Sequence, residues 1–205
     1  MMGFYSEKLV PWLIHWGMQN KEAKRLRQHV VPRADGRVLE IGIGSGLNLP
    51  YYNEIESLQG LDPSAVLLSL AMNGRSRVPF TVTLLRASAE AIPFATGTFD
   101  SVVTTWTLCS IPDAPGALVE MRRVLKPNGK LLFVEHGRSA DPGVARWQDR
   151  LDPLWHRCSG GCHMNRDVPA LIRGAGFLID QMESGYLVRG PRVLAYHFEG
   201  RARPL

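Results

Sequence analysis

Residues 38–46 constrain the fold of this chain more than any other stretch. They run Val-Leu-Glu-Ile-Gly-Ile-Gly-Ser-Gly, an apolar segment that contains Glu40 and leads into alternating glycines at positions 42, 44 and 46. Glycine adopts positive φ angles and lets another group approach the backbone closely. The stretch therefore predicts a buried strand over 37–41, a tight turn, and a helix that follows Gly46. Strand-turn-helix units of this kind bind the charged part of a ligand at the helix N-terminus.

Strand and helix patterns alternate along the rest of the chain. Further strands are predicted near 57–61, 80–85, 99–105, 130–135, 177–187 and 192–199, and helices after Ser64 and over 115–125, 144–157 and 167–175. A turn is predicted at 126–129 because proline, asparagine and glycine suit turn geometry. The alternation predicts an α/β fold: a Rossmann-like, doubly wound, mostly parallel seven-stranded sheet with helices on both faces and a terminal antiparallel hairpin.

Length and composition narrow the class of protein. At 205 residues the chain suits a single domain spanning 1–205. Three cysteines do not suggest a disulfide framework, and neither a signal peptide nor a membrane-spanning run is apparent, so we expect a cytoplasmic protein. The net charge of +5 is dispersed, with local concentrations at 21–27 and 201–203. Because no aromatic interleaving or nucleic-acid motif accompanies them, we expect solvated faces and no nucleic-acid partner.

Two segments stand outside the regular alternation. Residues 4–30 are predicted to be helical, with the aromatic residues Phe4, Tyr5, Trp12 and Trp16 at their front. This N-terminal segment (1–30) is interpreted as a flap over a bound ligand, with a helix packed across the sheet or a peripheral membrane-surface helix as the alternatives. Residues 141–166 are predicted to be an inserted cap, in which Trp147 and Trp155 fill a core or wall role.

Several motifs share one precedent. A dinucleotide fingerprint requires a third glycine where this chain has Leu47. The pattern Glu-x-Gly-x-Gly-x-Gly instead resembles the first motif of class I S-adenosylmethionine-dependent methyltransferases. The segments 87–94, 98–103 and 125–129 resemble later elements of the ubiquinone and menaquinone biosynthesis type, in the same order, with Ser88 where the pattern has aspartate and Asn128 replacing a glycine.

The resemblance implies S-adenosylmethionine as the cofactor. A carboxylate such as Asp62, at the end of the second strand, can accept both hydroxyls of a ribose, although a helix N-cap is the alternative interpretation. Glu90 is similarly open to a solvent-facing role. The cofactor-binding residues that we expect are Glu40, Gly42, Gly44, Gly46, Asn48, Asp62, Pro63, Ser88, Ala89, Glu90 and Thr105.

The C-terminal third resembles the thiol S-methyltransferase-like group, through 107–111, Glu135-His136, Asp152-Pro153-x-Trp155 and Gly161-Cys162. His136 follows the fifth strand and is the first candidate for a general base or orienting acceptor, with a structural histidine as the alternative. Cys162 and His163 are further catalytic candidates. Cys109 is interpreted as a small buried hydrophobe. The spacing of His156, Cys158, Cys162 and His163 matches no recognised zinc motif, so no metal is expected.

The predicted activity is methyl transfer to a small, fairly lipophilic acceptor, with a thiol as the leading class. Methylation of a quinone precursor at carbon, or of a phospholipid amine at nitrogen, is an alternative within the same chemistry. A noncatalytic cofactor-binding module is the alternative from a different class. The expected partner is the small-molecule acceptor, and the oligomeric state is left open between monomer and homodimer.

Overall fold

The computed structural model describes residues 10–205, which form one mixed sheet flanked by helices. The strands are β1 (Gly36–Ile41), β2 (Ile55–Leu61), β3 (Thr81–Leu85), β4 (Phe99–Thr105), β5 (Leu125–His136), β6 (Phe177–Tyr186) and β7 (Tyr196–Pro204). The helices are α1 (Val10–Gly17), α2 (Lys21–Val30), α3 (Ala65–Arg75), α4 (Ala114–Val124), α5 (Pro142–Cys158), α6 (Val168–Gly174) and the single turn α7 (Arg192–Ala195). No helix within residues 10–205 is both long and apolar enough to cross a membrane.

The strand order is β3-β2-β1-β4-β5-β7-β6, which confirms the predicted doubly wound sheet. Strands β1 to β5 pair in parallel, whereas β7 pairs antiparallel with both β5 and β6. The order of connection reverses between β1 and β4. In such sheets the crevice at this reversal, beyond the carboxyl ends of the strands, is where ligands bind.

Both faces of the sheet are covered by separate apolar clusters, as expected for parallel strands. Neighbouring residues of one strand point to opposite faces, so Leu39 and Phe133 belong to one cluster and Val38 and Leu132 to the other. The first cluster contains Leu118 and its neighbours on α4, and the second contains residues of α2. The sheet therefore forms a rigid base for the loops at its carboxyl edge.

The prediction of a helix after Gly46 is wrong. The chain instead forms a short 3-10 turn at Leu49–Tyr51 and enters β2 at Ile55. Pro50 lacks the N–H that a helix interior needs, which favours the shorter turn. The predicted helix over 4–30 is likewise two helices, because Asn20 accepts a hydrogen bond from the Ala23 N–H and starts α2 anew. Residues 1–9 lie outside the described part of the chain, so the prediction for Phe4 and Tyr5 stays a prediction.

The predicted turn at 126–129 falls within β5, but these four residues have no partner on β4, because Phe99 pairs with Leu125 and Ser101 pairs with Lys130. The pairing of β5 with β4 thus shifts register between Phe99 and Ser101. Among the described residues, Trp106 is the non-glycine residue with a positive φ, so Asn128 does not adopt the predicted turn geometry. Gly129 is required for space instead, because a Cβ there would lie 3.1 Å from the Asp100 carbonyl oxygen and 2.9 Å from Leu125 Cδ2.

We predict that Gly129→Ala lowers the free energy of unfolding by about 1–3 kcal/mol, because the added methyl group forces apart two packed strands. Chemical denaturation would measure the change. Gly174→Ala is the matched control, since a Cβ there meets no atom within 4 Å. A Gly129→Ala variant as stable as the control would show that the two strands separate easily at this point.

Candidate active site

The glycine turn after β1 forms an open cradle. Gly42, Gly44 and Gly46 have φ angles of 66°, 55° and 77°. A Cβ at Gly42 would lie 2.3 Å from Thr107 Oγ1, and one at Gly46 would lie 2.9 Å from Leu49 Cδ1. At Gly44 the nearest atom would be 3.9 Å away. The outer glycines therefore permit tight packing within the protein, whereas the central one leaves room for a ligand beside the backbone.

Asp62 lies next to this cradle, at the end of β2. Its Oδ2 accepts the Gly44 N–H at 2.9 Å, and its Oδ1 accepts the Ser64 N–H at 2.8 Å. Burial raises the pKa of Asp62, and these two backbone hydrogen bonds only partly offset the effect. The N-cap of α3 is Ser64, which accepts from the Leu67 N–H, so the capping interpretation of Asp62 is wrong. The exposed Pro63 lies between them.

A buried polar network supports the cradle from behind. Glu40 accepts hydrogen bonds from Asn48 Nδ2 at 2.9 Å and from the Tyr52 hydroxyl at 2.8 Å. Asn48 Nδ2 also donates to Thr105 Oγ1 at 3.0 Å, which joins the glycine turn to the end of β4. Arg27 Nε donates to Asn48 Oδ1 at 3.0 Å. Glu40, Asn48 and Thr105 thus meet at one point, although both Glu40 oxygens are engaged within the protein.

The basic stretch 21–27 is predicted to form a solvated helix face, and for Arg27 this prediction is wrong. Its side chain is only 5% exposed, and its guanidinium lies 4.9 Å from the centre of the Trp106 ring. Burial lowers the pKa of Arg27 in spite of the nearby Glu40 carboxyl group. Its position on the one buried stripe of α2 is the signal that could have identified it.

The segment 88–90 forms the next wall of the crevice. The Ser88 hydroxyl donates to Glu90 Oε2 at 2.9 Å, and Glu90 Oε1 accepts the Asp113 N–H at 2.8 Å. Ala89 is buried between them. Glu90 is half-buried, and its carboxylate ties this segment to the start of α4 while remaining accessible to solvent.

Glu135, at the end of β5, was not among the predicted site residues. Its Oε1 accepts hydrogen bonds from the Thr104 hydroxyl and from the N–H groups of Thr107 and Leu108, at 3.0 to 3.1 Å. Its Oε2 is buried without a partner in the described part of the chain. Burial raises the pKa of Glu135 to about 7. An acidic residue closing an otherwise apolar strand is the sequence signal that marks it.

Three buried side chains converge beside Glu135. The side-chain ligand atoms of Cys109, His136 and Cys162 all lie within 4.8 Å of one another, and His136 Nε2 is 2.9 Å from Cys162 Sγ. The Trp155 indole N–H donates to the same sulfur at 3.4 Å. Cys109 is buried, as predicted, but it is part of a polar cluster and not simply a hydrophobic wall.

Mutual contact shifts the acidity of all three groups. The nearby Cys109 thiol lowers the pKa of Cys162 more than burial raises it, and His136 adds to this lowering. The proximity of Cys162, together with burial, raises the pKa of Cys109. Burial lowers the pKa of His136, but contact with Cys162 outweighs it, so the net shift is upward. The three groups therefore share protons as one unit, with a Cys162 thiol more acidic and a His136 imidazole more basic than usual.

His163 contributes to this cluster through its backbone. Its N–H donates to the Cys109 carbonyl at 2.8 Å, whereas its ring Nδ1 contacts Asp152 Oδ2 at 2.7 Å and stacks on His156. Cys158 is exposed. The structure therefore does not assemble the sequence set of His156, Cys158, Cys162 and His163 as one group of ligands.

The two tryptophans of the predicted cap differ in their surroundings, and only one of them has the role that was predicted. Trp155 packs against the cluster, but Trp147 is 55% exposed, so the core role predicted for it is wrong. Buried Gln148 fastens α5 to the sheet edge: its amide nitrogen lies 3.0 Å from the carbonyl oxygens of Gly137, Met164 and Val193. Gln148 thus ties the loop that holds Cys162 to α5 through Met164, and it ties α5 to the end of β5 through Gly137.

We predict that Glu40 makes the stability of the ligand-free protein fall as the pH rises. Its pKa is raised to about 8 by burial, so between its ordinary value and pH 8 the folded chain holds a proton that the unfolded chain has lost. The stabilisation is complete below about pH 4.5 and is lost through pH 8, by at most about 5 kcal/mol. Glu40→Gln should flatten the profile of unfolding free energy against pH.

The exposed Glu54→Gln substitution is the control and should follow the wild-type profile. Urea denaturation at intervals from pH 5 to pH 9 measures both variants. Identical slopes for Glu40→Gln and the wild type would show that Glu40 is already ionised in the folded protein at pH 5.

Comparison with known proteins agrees with this geometry. Residues 39–133 match a family model described as a methyltransferase domain. The chain is 32% identical to the human thiol S-methyltransferase TMT1B over 73% of its own length and 64% of the relative, so it spans slightly under two thirds of that protein. It is 31% identical to the phosphatidylethanolamine N-methyltransferase of Cereibacter sphaeroides, over 65% of the chain and 68% of the relative.

A solved structure supports the same fold. A possible histamine N-methyltransferase from Thermotoga maritima superposes with a TM-score of 0.69 at 22% identity and full coverage of both chains. The match of the family model begins within β1 and ends within β5, and so it spans the cradle, Asp62 and the end of β4. The chain belongs to the class I S-adenosylmethionine-dependent methyltransferases, whose cofactor is S-adenosylmethionine.

Proposed function

We propose that this protein methylates a small, fairly lipophilic thiol. The observation that carries the proposal is the Cys109, His136 and Cys162 cluster, which lies at the carboxyl edge of the sheet one strand away from the glycine cradle. Thr107 links the two parts, because it packs against Gly42 and is only two residues from Cys109. The thiol S-methyltransferase relatives support the same class of acceptor.

The cradle fits the cofactor on grounds of shape and of donors and acceptors. Gly44 leaves open space, and the Asp62 carboxylate beside it retains lone pairs for hydroxyl groups of a ribose. We assign cofactor contacts to Gly44, Asp62 and the 88–90 segment, with Glu40, Asn48 and Thr105 supporting them. When bound, the cofactor supplies a methyl group activated by a positively charged sulfur, and the protein aligns the acceptor and excludes water.

The His136 and Cys162 pair supplies a proton acceptor for the thiol. A thiol reacts as its thiolate, so a basic group beside the acceptor increases the reactive fraction near neutral pH. His136 Nε2 already faces the Cys162 sulfur at 2.9 Å. The 141–166 cap holds Cys162 in place, and His163 supports it through Asp152. We therefore assign His136 and Cys162 to acceptor activation and His163 to positioning.

A phospholipid amine is a second candidate acceptor. The exposed apolar side chains Trp147, Leu151 and Leu154 lie on one face of α5, next to Arg150, and Trp12 and Trp16 are exposed on α1. Aromatic and cationic side chains together suit an anionic lipid surface. The similarity to a phosphatidylethanolamine N-methyltransferase favours the same class of substrate.

We predict that Asp62→Asn and Asp62→Ala weaken the binding of S-adenosylmethionine by one to two orders of magnitude, since each removes a hydrogen-bonded charge worth about 1.5–3 kcal/mol. Calorimetric titration with the cofactor measures the change, and thermal unfolding confirms that the variants fold. Asp180→Asn, at the far edge of the sheet, is the control. A folded Asp62→Asn variant with wild-type affinity would show that the ribose does not contact Asp62.

Transfer of a labelled methyl group tests the acceptor. Aliphatic and aromatic thiols, quinols and phosphatidylethanolamine vesicles are offered separately to the full chain with labelled cofactor. We expect label on thiols, and a loss of turnover of about 10²–10⁴-fold in His136→Ala and Cys162→Ala with cofactor affinity retained. Cys158→Ala, the exposed-cysteine control, should keep its turnover. Label on lipid or quinol alone would overturn the thiol proposal.

A further inference from the structure

The cluster of Cys109, His136 and Cys162 has the composition of a metal site. Its ligand atoms lie within 4.8 Å of one another, and all three residues are buried. They come from three separate parts of the chain: the segment after β4, the end of β5 and the loop after α5. Two thiols and one imidazole form the ligand set of zinc sites that keep a fourth position open for substrate.

The distances fit zinc after a small adjustment. With zinc–sulfur bonds near 2.3 Å and zinc–nitrogen bonds near 2.0–2.1 Å, tetrahedral geometry separates the ligand atoms by about 3.6–3.8 Å. His136 Nε2 and Cys162 Sγ lie 2.9 Å apart, so they would need to separate by about 0.7 Å. Side-chain rotation within the cluster suffices for a shift of this size.

Neighbouring groups hold the cysteine side chains and their segments in place. The Trp155 indole donates its N–H to Cys162 Sγ, and N–H donors to sulfur are typical of metal-bound thiolates. The His163 N–H bonds to the Cys109 carbonyl at 2.8 Å, which holds the two cysteine-bearing segments together. Asp152 fixes the same loop through the Met164 N–H at 2.7 Å. The loop is therefore braced independently of any ion.

We propose that Cys109, His136 and Cys162 bind one zinc ion whose fourth position takes the sulfur of the acceptor. The identity of this fourth ligand rests on the proposed thiol methylation, whereas the three protein ligands do not. Zinc deprotonates a thiol that coordinates it. The metal would then supply the thiolate that methyl transfer requires, and His136 would be a ligand rather than a base.

The chemical step balances without a further reactant. Coordination breaks the acceptor S–H bond, forms an S–Zn bond and releases the proton to solvent. The acceptor sulfur then forms a bond to the methyl carbon, while the carbon–sulfonium bond breaks and leaves its electron pair on the cofactor sulfur. The methylated product is a neutral thioether, a weak ligand that dissociates from zinc.

Cobalt(II) titration of the full chain tests the site without cofactor or acceptor. We expect one equivalent of cobalt to bind with a thiolate-to-cobalt charge-transfer band, and zinc to displace it. Cys109→Ser and Cys162→Ser should each lose most of this band, and His136→Gln should weaken cobalt binding at least tenfold. Cys158→Ser should match the wild type. Cofactor titration of each variant confirms that it is folded.

The proposal would be overturned by the absence of a charge-transfer band in the reduced wild-type protein, or by an unchanged band in Cys109→Ser and Cys162→Ser. A disulfide between Cys109 and Cys162 in protein purified without oxidant, detected by mass spectrometry, would also overturn it.

Removal of metal by a chelator separates this inference from the proposed function. Thiol methylation that is lost with the metal and restored by zinc supports the assignment of the fourth ligand. Thiol methylation that persists in metal-free protein overturns the acceptor sulfur as the fourth ligand and leaves the proposed function intact. A cobalt site in a protein that labels no thiol supports the three protein ligands and overturns the thiol as the fourth.

Discussion

The buried Glu40 carboxyl group is the interaction on which the cofactor side of the molecule depends. Burial of an acid among apolar strands is unfavourable unless hydrogen bonds compensate for it. Asn48 and Tyr52 provide those bonds, and both belong to the segment that follows the glycine turn. Because Asn48 also contacts Arg27 and Thr105, one carboxyl group joins α2, β1, the turn and the end of β4. The cradle is consequently held by polar contacts inside the protein, with Gly44 left free to face a ligand.

The cluster of Cys109, His136 and Cys162 is assembled differently, through contacts between segments that are distant in sequence. Cys109 and Cys162 approach each other because the loop after α5 bonds to the Cys109 carbonyl through the His163 N–H. Gln148 and Asp152, both buried on α5, hold that loop to the sheet edge. The position of the thiols thus depends on the docking of one helix, whereas the position of the cradle depends on the sheet itself.

The sequence predicted the parts of this structure that arise from local chemistry. The strand and glycine pattern at 38–46, Asp62 at a strand end and the alternation of strands and helices predicted the sheet and its cofactor edge. The helix after Gly46 was wrongly predicted because the strand-turn-helix pattern was followed in spite of Pro50, which is a local obstacle to a helix. The geometry predicted for 126–129 was wrong at Asn128, which has no positive φ, because these residues form an irregular, unpaired part of β5 beside β4.

Other features lay beyond local pattern altogether. Arg27 belongs to a basic stretch, and only packing of α2 against the sheet reveals that it is buried. The grouping of Cys109 with His136 and Cys162 depends on three separate segments. Local spacing could therefore be judged only for the residues within 156–163, which matched no zinc motif. His163 was predicted as a catalytic candidate beside Cys162, but its ring contacts Asp152. Its neighbours in sequence did not indicate that Cys109 joins the cluster.

Buried acidic groups lie at the carboxyl edge of the sheet, near both the glycine cradle and the cysteine cluster. Glu40, Asp62 and Glu135 are buried there, and burial raises the pKa of each. A nearby cation favours the ionised form of a carboxyl group, and the carboxylate in turn favours the cation. A cation held near these groups would therefore bind more strongly when they are ionised. Because Glu40 and Glu135 hold protons near neutrality, the cation must compete with those protons for the site. Burial of the carboxyl groups at this edge thus couples the binding of a cation to pH.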